Sequence, residues 1–355
     1  MFKSGLHAIK GEANPLQLKP KSKVLVILVD GLGAEQILAR SGHCRFLAAG
    51  VASGQTAFSA FPATTSTNIG SFATGLSPGE HGLVGHQVLD REHNLRINLL
   101  TGWTSETDPL KWQPNLTISE QSLSSGIRTN VIAASEYEKT GYTFATMREA
   151  QFLPAEGIQE RFDRALEVLN AKEPSLTYLY IPELDKYGHR NGWQSPGWSG
   201  LLEEVDQQIS RLAAKLPKDC GVLVTSDHGM VDTSPEMHLV LDNYFDSSLE
   251  WFGGDTRVAY IYLNDESAAP SVVAKFAALQ NSVIAATTSD LISAGFYGQV
   301  SALAQKRLPE VVLFAKGSHT LFHSEYSKKK SFEMISHHGS VTAAEIRIPL
   351  VRIGF

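Results

Sequence analysis

Three aspartates and three histidines stand in this chain where a cation could gather them. Asp30, Asp185 and Asp227 each close a run whose apolar residues read as a strand: VLVILVDG, LTYLYIPELD and GVLVTSDHG. Such runs belong to buried strands of a parallel sheet, and the carboxyl edge of an open α/β sheet is where ligands bind. Several carboxylates drawn into one cleft need positive charge to hold them there. His189 follows Asp185 by four residues, so a helical segment would put both side chains on one face. His228 is adjacent to Asp227, and the two can reach one site only if the chain bends, which Gly229 permits. His338 also precedes a glycine. A mixed oxygen and nitrogen set suits zinc or manganese better than magnesium or calcium. Taken singly, an Asp after a strand is usually a cap or turn former and a His a surface residue. The argument rests on their joint occurrence at independent strand ends.

A second feature is a block of hydroxyls. In FPATTSTNIGSFATG, Thr64, Thr65, Ser66 and Thr67 stand where a small-residue helix opens after Pro62. One of them is explained as a helix cap; four in a row exceed what capping needs. A threonine hydroxyl becomes a nucleophile at neutral pH when a metal lowers its pKa. Composition alone leaves Thr65 and Thr64 open as the attacking group, with Ser66 a weaker third.

The elements that must position these residues alternate. A strand at 24–29 is followed by Gly31, Gly33 and the helical AEQILAR. TNVIAAS (129–135) reads as a strand, 152–170 has helical spacing, the second aspartate strand follows, and SGLLEEVDQQISRLAAKL is an amphipathic helix stopping before Pro217. This βαβ alternation predicts a doubly wound, mostly parallel sheet. Between about 234 and 333 the pattern loosens into TRVAYIYLN, SVVAKFAALQ and PEVVLFAK, read as a smaller α+β cap or insertion. The expected division is a catalytic α/β core of 1–233 and 334–355, with the cap at 234–333.

Composition excludes other classes. The chain has 355 residues, 43% hydrophobic and 19% charged, with a net charge of −6, which argues for a folded globular protein and against a nucleic-acid polymer as partner. The only basic run is Lys328 to Lys330, read as a solvated loop or a phosphate-steering patch at the cleft mouth. Two distant cysteines, Cys44 and Cys220, suggest neither a disulfide framework nor a cysteine metal site. No stretch has signal-peptide or membrane-span character, so a cytoplasmic, soluble protein with no membrane partner is expected.

As a set, LVDGLG, FPATTSTNIGSFATGLSPGEHGLVGH, PELDKYGHRNGW, TSDHGM and HHGS occur in an order that resembles the type I phosphodiesterase/nucleotide pyrophosphatase family of the alkaline phosphatase superfamily, from about Lys23 to the end. The resemblance implies an alkaline-phosphatase-like three-layer α/β sandwich and two zinc ions, or another divalent transition metal such as manganese. Matching positions imply one metal held by Asp30, Thr65, Asp227 and His228 and the other by Asp185, His189 and His338. They also imply Thr65 as the nucleophile, with the Ser66 amide and His86 in contact with a phosphate. Two departures stand out: Ser66 replaces the aromatic residue that usually follows the nucleophile, and His86 falls at or close to the place of a phosphate-binding asparagine.

The expected activity is therefore two-metal hydrolysis of phosphodiester or pyrophosphate bonds in a small phosphorylated substrate, through a covalent phospho-threonine intermediate. Monoester hydrolysis, phosphonate hydrolysis or phosphomutase chemistry on the same scaffold is the alternative, with a non-catalytic metal-binding homologue behind it. The hydroxyl segment contains no arginine to meet a doubly charged terminal phosphate, which favours diesters. Trp103, Tyr187, Trp193, Trp198 and Phe296 are aromatic candidates for a pocket wall, and Arg257 and His319 for a charge contact in the cap.

Overall fold

A computed structural model describes residues 1–355. The apolar runs form the middle of a seven-stranded sheet. β1 (Lys23–Val29) lies between β7 (Ser175–Ile181) and β8 (Cys220–Thr225). Beyond β7 come β5 (Arg128–Ala133) and β6 (Gln151–Pro154), and beyond β8 come β17 (Arg347–Ile353) and the edge strand β2 (Thr56–Phe58). β6, β5, β7, β1 and β8 run parallel; β17 is antiparallel to β8 and to β2.

Every residue of β1 is buried, and its side chains alternate between two cores. Val24, Val26 and Leu28 enter one cluster; Leu25, Ile27 and Val29 enter the other. The second cluster is closed by helices Ala34–Ala39, Arg45–Ala52, Ile158–Asn170 and Pro196–Ala214, and the first by helices Phe2–Lys10 and Thr65–Thr74. Apolar cover on both faces is the condition under which a parallel sheet with continuous apolar strands is stable. Each large aliphatic side chain buried this way contributes about 1.5–3 kcal/mol. The helix Phe2–Lys10, whose Phe2 and Leu6 reach the core, has no counterpart in the sequence reading.

A six-stranded antiparallel sheet carries much of the loosely patterned region, in the order β13 (Val283–Thr287), β14 (Val311–Ala315), β12 (Val258–Leu263), β11 (Leu249–Asp255), β3 (Gln87–Asp90), β4 (Leu95–Asn98). Four of these strands fall within 234–333. The other two are a hairpin from 87–98, so the smaller sheet draws on both parts of the chain. Val88, Ile97, Tyr260, Tyr262 and Phe314 share the first core cluster with β1, which welds the two sheets together. Two short ladders complete the fold, β9 (Val231–Asp232) with β16 (Ser336–His337) and β10 (His238–Val240) with β15 (Thr320–Phe322).

The stretch 152–170, read as wholly helical, divides. Gln151–Pro154 pairs with β5 and the helix begins at Ile158, because Pro154 has no amide to give a helix interior. No helix is long and apolar enough to cross a membrane. Cys44 and Cys220 are free and buried; burial, then Asp206, pushes the Cys44 thiol up to about 12, far from a reactive thiolate.

Candidate metal centre and nucleophile

Register brings the aspartates together. Val29 pairs with Ile181 and Leu28 with Thr225, so the residues just past β1, β7 and β8 stand at one edge. Asp30 follows β1 directly, and Asp227 lies two residues beyond β8. Asp185 departs from the reading of its run as a strand ending on the aspartate: β7 stops at Ile181, and Asp185 belongs to the first turn of the helix Glu183–Asn191. Pro182 ends the ladder there because it has no amide to donate. The helix puts His189 one turn from Asp185, with Nε2 3.3 Å from the carboxylate.

Two backbone devices let these edges meet. Gly31 has φ +73, and a side chain on it would come within 3.1 Å of the Asp185 backbone. At Gly229 a Cβ would lie 2.1 Å from the Ala344 carbonyl, so close approach is what requires glycine after His228.

His338 Nε2 is 3.8 Å from Asp185, and Asp185, His189 and His338 offer ligand atoms all within 4.8 Å of one another. Asp30, Asp185 and His228 form a second such triad. His228 Nε2 lies 3.5 Å from Asp30, 3.4 Å from Asp227 and 3.1 Å from the Thr65 hydroxyl. The His228 and His338 rings stack 3.6 Å apart.

The three imidazoles share one orientation. Nδ1 of His189 faces the Ser336 carbonyl at 2.8 Å, that of His338 the Ala63 carbonyl at 3.0 Å, and that of His228 the Gly229 carbonyl at 3.2 Å. A carbonyl only accepts, so each Nδ1 carries a proton and Nε2 is the atom each ring turns to the cleft, where it offers a lone pair when the ring is neutral. One oxygen each of Asp30, Asp185 and Asp227 is buried with no hydrogen-bond partner. Unpartnered carboxylate oxygens beside lone-pair nitrogens are the donor set of a divalent transition metal, and these residues fit such ions. The remaining oxygens are held by the chain: the Tyr180 hydroxyl donates to Asp30, and the His228 amide donates to Asp227 at 3.1 Å.

The electrostatics show the crowding of charge. Burial, then Asp227 and Asp185, raises Asp30 well above the usual carboxylate range. Burial, then Asp185, pushes Asp227 up to about 6. Burial disfavours the charged form of Asp185, but His189 and His338 outweigh it and hold this carboxyl below its ordinary value. His189 is raised to about 9, because Asp185 overcomes the effect of burial, while burial lowers His228 and His338 to about 4.

Thr65 opens the helix Thr65–Thr74, and the neighbouring hydroxyls are spent elsewhere. Thr64 is fully buried against the Thr67 hydroxyl at 3.2 Å, and the fully buried Ser66 hydroxyl donates to the Gly85 carbonyl at 2.7 Å. Asn68 holds the loop ahead of Thr65, its amide donating to the Pro62 and Thr64 carbonyls at 3.2 and 3.1 Å. Nothing in the sequence reading pointed to that role.

Thr65, Leu100 and Asp185 separate two chambers. One, of about 420 Å³, has an aromatic wall that includes Tyr137, Tyr142, Phe152, Tyr178 and Tyr180. The other, of about 170 Å³, is polar, and His86, Asn98, Asp255 and Lys328 line it. None of Trp103, Tyr187, Trp193, Trp198 or Phe296 lines either chamber. Trp198 is buried core, its indole donating to the Leu184 carbonyl at 3.0 Å. Arg257 is not at a surface either. It is fully buried in a two-pronged pair with Glu345, at 3.1 and 2.7 Å. Of the basic run, Lys328 lines the polar chamber, and Lys329 and Lys330 are exposed. Asn98, Tyr180 and Asp255 are site residues that no motif singled out.

The model of the family described as type I phosphodiesterase / nucleotide pyrophosphatase matches residues 24–341. Among curated relatives, an uncharacterized pyrophosphatase/phosphodiesterase of Schizosaccharomyces pombe is 29% identical over 250 residues, 64% of this chain and 49% of that protein. A bovine bis(5'-adenosyl)-triphosphatase is 26% identical over 201 residues, 53% of this chain and 43% of that protein. The matches thus span about half of these relatives' length or less. Murine ectonucleotide pyrophosphatase/phosphodiesterase 5 superposes with a TM-score of 0.70 at 21% identity, covering 92% of this chain and 87% of that one. An inactive variant of it, solved in complex with AMP, superposes at 0.69 and 20% identity. These likenesses show the shared alkaline-phosphatase-like fold.

Proposed function

Given that this chain belongs to the type I phosphodiesterase/nucleotide pyrophosphatase family, we propose that it hydrolyses phosphodiester or pyrophosphate bonds with Thr65 as nucleophile and two divalent transition ions, zinc or manganese, as cofactors. One ion is held by Asp30, Thr65, Asp227 and His228, the other by Asp185, His189 and His338. The observation that carries this reading is the common aim of the three imidazoles, each with Nδ1 against a main-chain carbonyl and Nε2 turned to the aspartates, those of His228 and His338 facing carboxylate oxygens that have no other partner. When bound, the ions supply Lewis-acid charge that lowers the pKa of the Thr65 hydroxyl and neutralises the leaving oxygen.

The chain's own residues do the rest. Thr65 Oγ1, its hydroxyl proton passing to water, forms a bond to phosphorus as the bond to the leaving oxygen breaks on the opposite side; the electron pair departs with that oxygen, which takes a proton from water. Water then displaces the phosphoryl group from Thr65 in a second in-line step and regenerates the hydroxyl. The Ser66 amide, at the helix start, and His86 donate to non-bridging phosphoryl oxygens. The aromatic chamber supports a flat organic group on the retained phosphoryl, as in a nucleotide, and compensates for the missing aromatic side chain at Ser66. The polar chamber, with Lys328 in its wall, supports a small anionic leaving group and thereby favours pyrophosphate linkages.

The test is turnover of bis-nitrophenyl phosphate, nitrophenyl phosphate and the nitrophenyl ester of thymidine monophosphate after loading with zinc or manganese. The nucleotide ester is expected to be cut fastest and the monoester slowest. Thr65→Ala is expected to abolish turnover while retaining both metals. Full activity in that variant, or cleavage of the monoester alone, overturns the reading.

A further inference from the structure

The His86 and Asn98 side chains meet in the polar chamber through the geometry of one hairpin. Gln87 pairs with Asn98 across β3 and β4, so His86 stands one residue beyond the ladder, where its carbonyl accepts the Leu99 amide at 2.9 Å. Asn98 is fixed from both sides. Its side-chain oxygen accepts the amides of Leu100 at 2.9 Å and Thr101 at 3.2 Å, and its own carbonyl accepts the Gly102 amide at 2.7 Å. Gly102 is needed there, because a Cβ on it would approach the Asn98 backbone to 2.8 Å.

Two main-chain donors on Oδ1 decide the orientation of the Asn98 amide, since Nδ2 in that position would set donor against donor. Nδ2 therefore faces His86, at 2.9 Å from Nε2. An amide nitrogen can only donate, so Nε2 of His86 must accept through its lone pair, and the ring proton must sit on Nδ1. No side chain or carbonyl takes up that Nδ1 proton. Asp255, which lines the same chamber, has Oδ1 engaged by the Thr256 amide at 2.7 Å.

We infer that Asn98 is a positioning residue that holds His86 as the neutral Nδ1–H tautomer and so keeps one N–H free for a phosphoryl oxygen at Thr65. This rests on the assignment of Thr65 as nucleophile. A tautomer fixed before substrate arrives offers a donor with no reorganisation during the reaction, and one hydrogen bond to a charged oxygen is worth about 1.5–3 kcal/mol, or about 10- to 100-fold in rate.

The zinc-loaded protein, labelled with ¹⁵N-histidine, is examined by long-range ¹H–¹⁵N spectroscopy, with the His86 signals identified by their loss in His86→Ala. The expected signature is Nδ1–H. Asn98→Asp is the informative variant: it keeps an oxygen for the Leu100 and Thr101 amides, presents a second acceptor to His86, and should move the proton to Nε2. With bis-nitrophenyl phosphate, kcat is expected to fall about 10- to 100-fold in Asn98→Asp and in His86→Ala, and no further when the two are combined. A wild-type Nε2–H signature, or an unchanged tautomer in Asn98→Asp, overturns the inference. Full activity in His86→Ala overturns the phosphate-donor role of His86, while the spectra still decide what Asn98 does. Loss of activity in Thr65→Ala with normal His86 spectra keeps the nucleophile assignment separate from both.

Discussion

Replacing Glu345 by alanine removes one half of an ion pair in which both side chains are fully buried. The Glu345 carboxylate accepts from Arg257 Nε and Nη2, from the Ser340 amide at 2.9 Å and from the Thr342 hydroxyl. Without it the Arg257 guanidinium keeps only the His319 carbonyl, contacted through Nη1. An uncompensated buried charge of this kind costs about 3–5 kcal/mol. Unfolding entropy of about 2.1 cal/mol/K per residue is roughly 0.75 kcal/mol/K for this chain, so the melting temperature should drop by about 4–7 °C. Denaturant titration of metal-loaded protein measures the loss, and metal analysis after dialysis measures its reach into the site, since Glu345 anchors the segment just after His338. Arg257→Met combined with Glu345→Leu should be less destabilised than Glu345→Ala, because the unpaired charge is gone. A loss below about 1 kcal/mol in Glu345→Ala, or a double variant worse than the single one, would refute the reasoning.

Further outcomes follow from other parts of the structure. Tyr180→Phe removes the donor to Asp30 and should lower metal affinity or activity by about 10- to 100-fold, read by competition with a chromogenic chelator. Stripping the metals should lower the melting temperature and restoring zinc should raise it, with the gain growing with free-metal concentration to about 2.7 kcal/mol at one hundred times Kd. Ile27→Ala, a cavity at the centre of β1, should cost about 2–5 kcal/mol in denaturant unfolding. Tyr137→Ala opens the aromatic wall and should raise KM for the thymidine ester more than for bis-nitrophenyl phosphate; equal effects on both would remove the chamber from recognition.

Much of this molecule was legible because its strongest signals are local. β1, β7 and β8 are continuous apolar runs bounded by glycine, proline and aspartate, and the Asp185 and His189 spacing needed only a helical turn to become a pair. The hydroxyl block was visible too, but the distinction among its members was not. Only the resemblance singled out Thr65 there, because what occupies the Ser66 hydroxyl is the Gly85 carbonyl, 19 residues on, which no residue spacing encodes. The same limit hid Asn98, whose partner is reached through a hairpin register, and Arg257, whose burial depends on Glu345, 88 residues away. The aromatic wall was misassigned because tryptophans draw attention by type, whereas Tyr137, Tyr142 and Tyr180 reach the cleft from the segment after β5 and from the end of β7. The smaller sheet was only partly traced because a hairpin from 87–98 joins it, and antiparallel pairing across such a distance leaves no pattern in either segment.

The three imidazoles that lean on main-chain carbonyls bear on how the protein would acquire its ions. Their orientation is tied to the carbonyls of Ser336, Ala63 and Gly229, so each ring is aimed by main chain that the fold itself holds in place. Small zinc domains whose folding waits for the metal behave in the opposite way. Here the strands and helices that carry the ligands have large apolar cores of their own, so removing the ions is expected to lower stability without unfolding the chain. Which ion occupies the cleft is then governed by the supply around the protein and by each ion's own preference for nitrogen and oxygen donors.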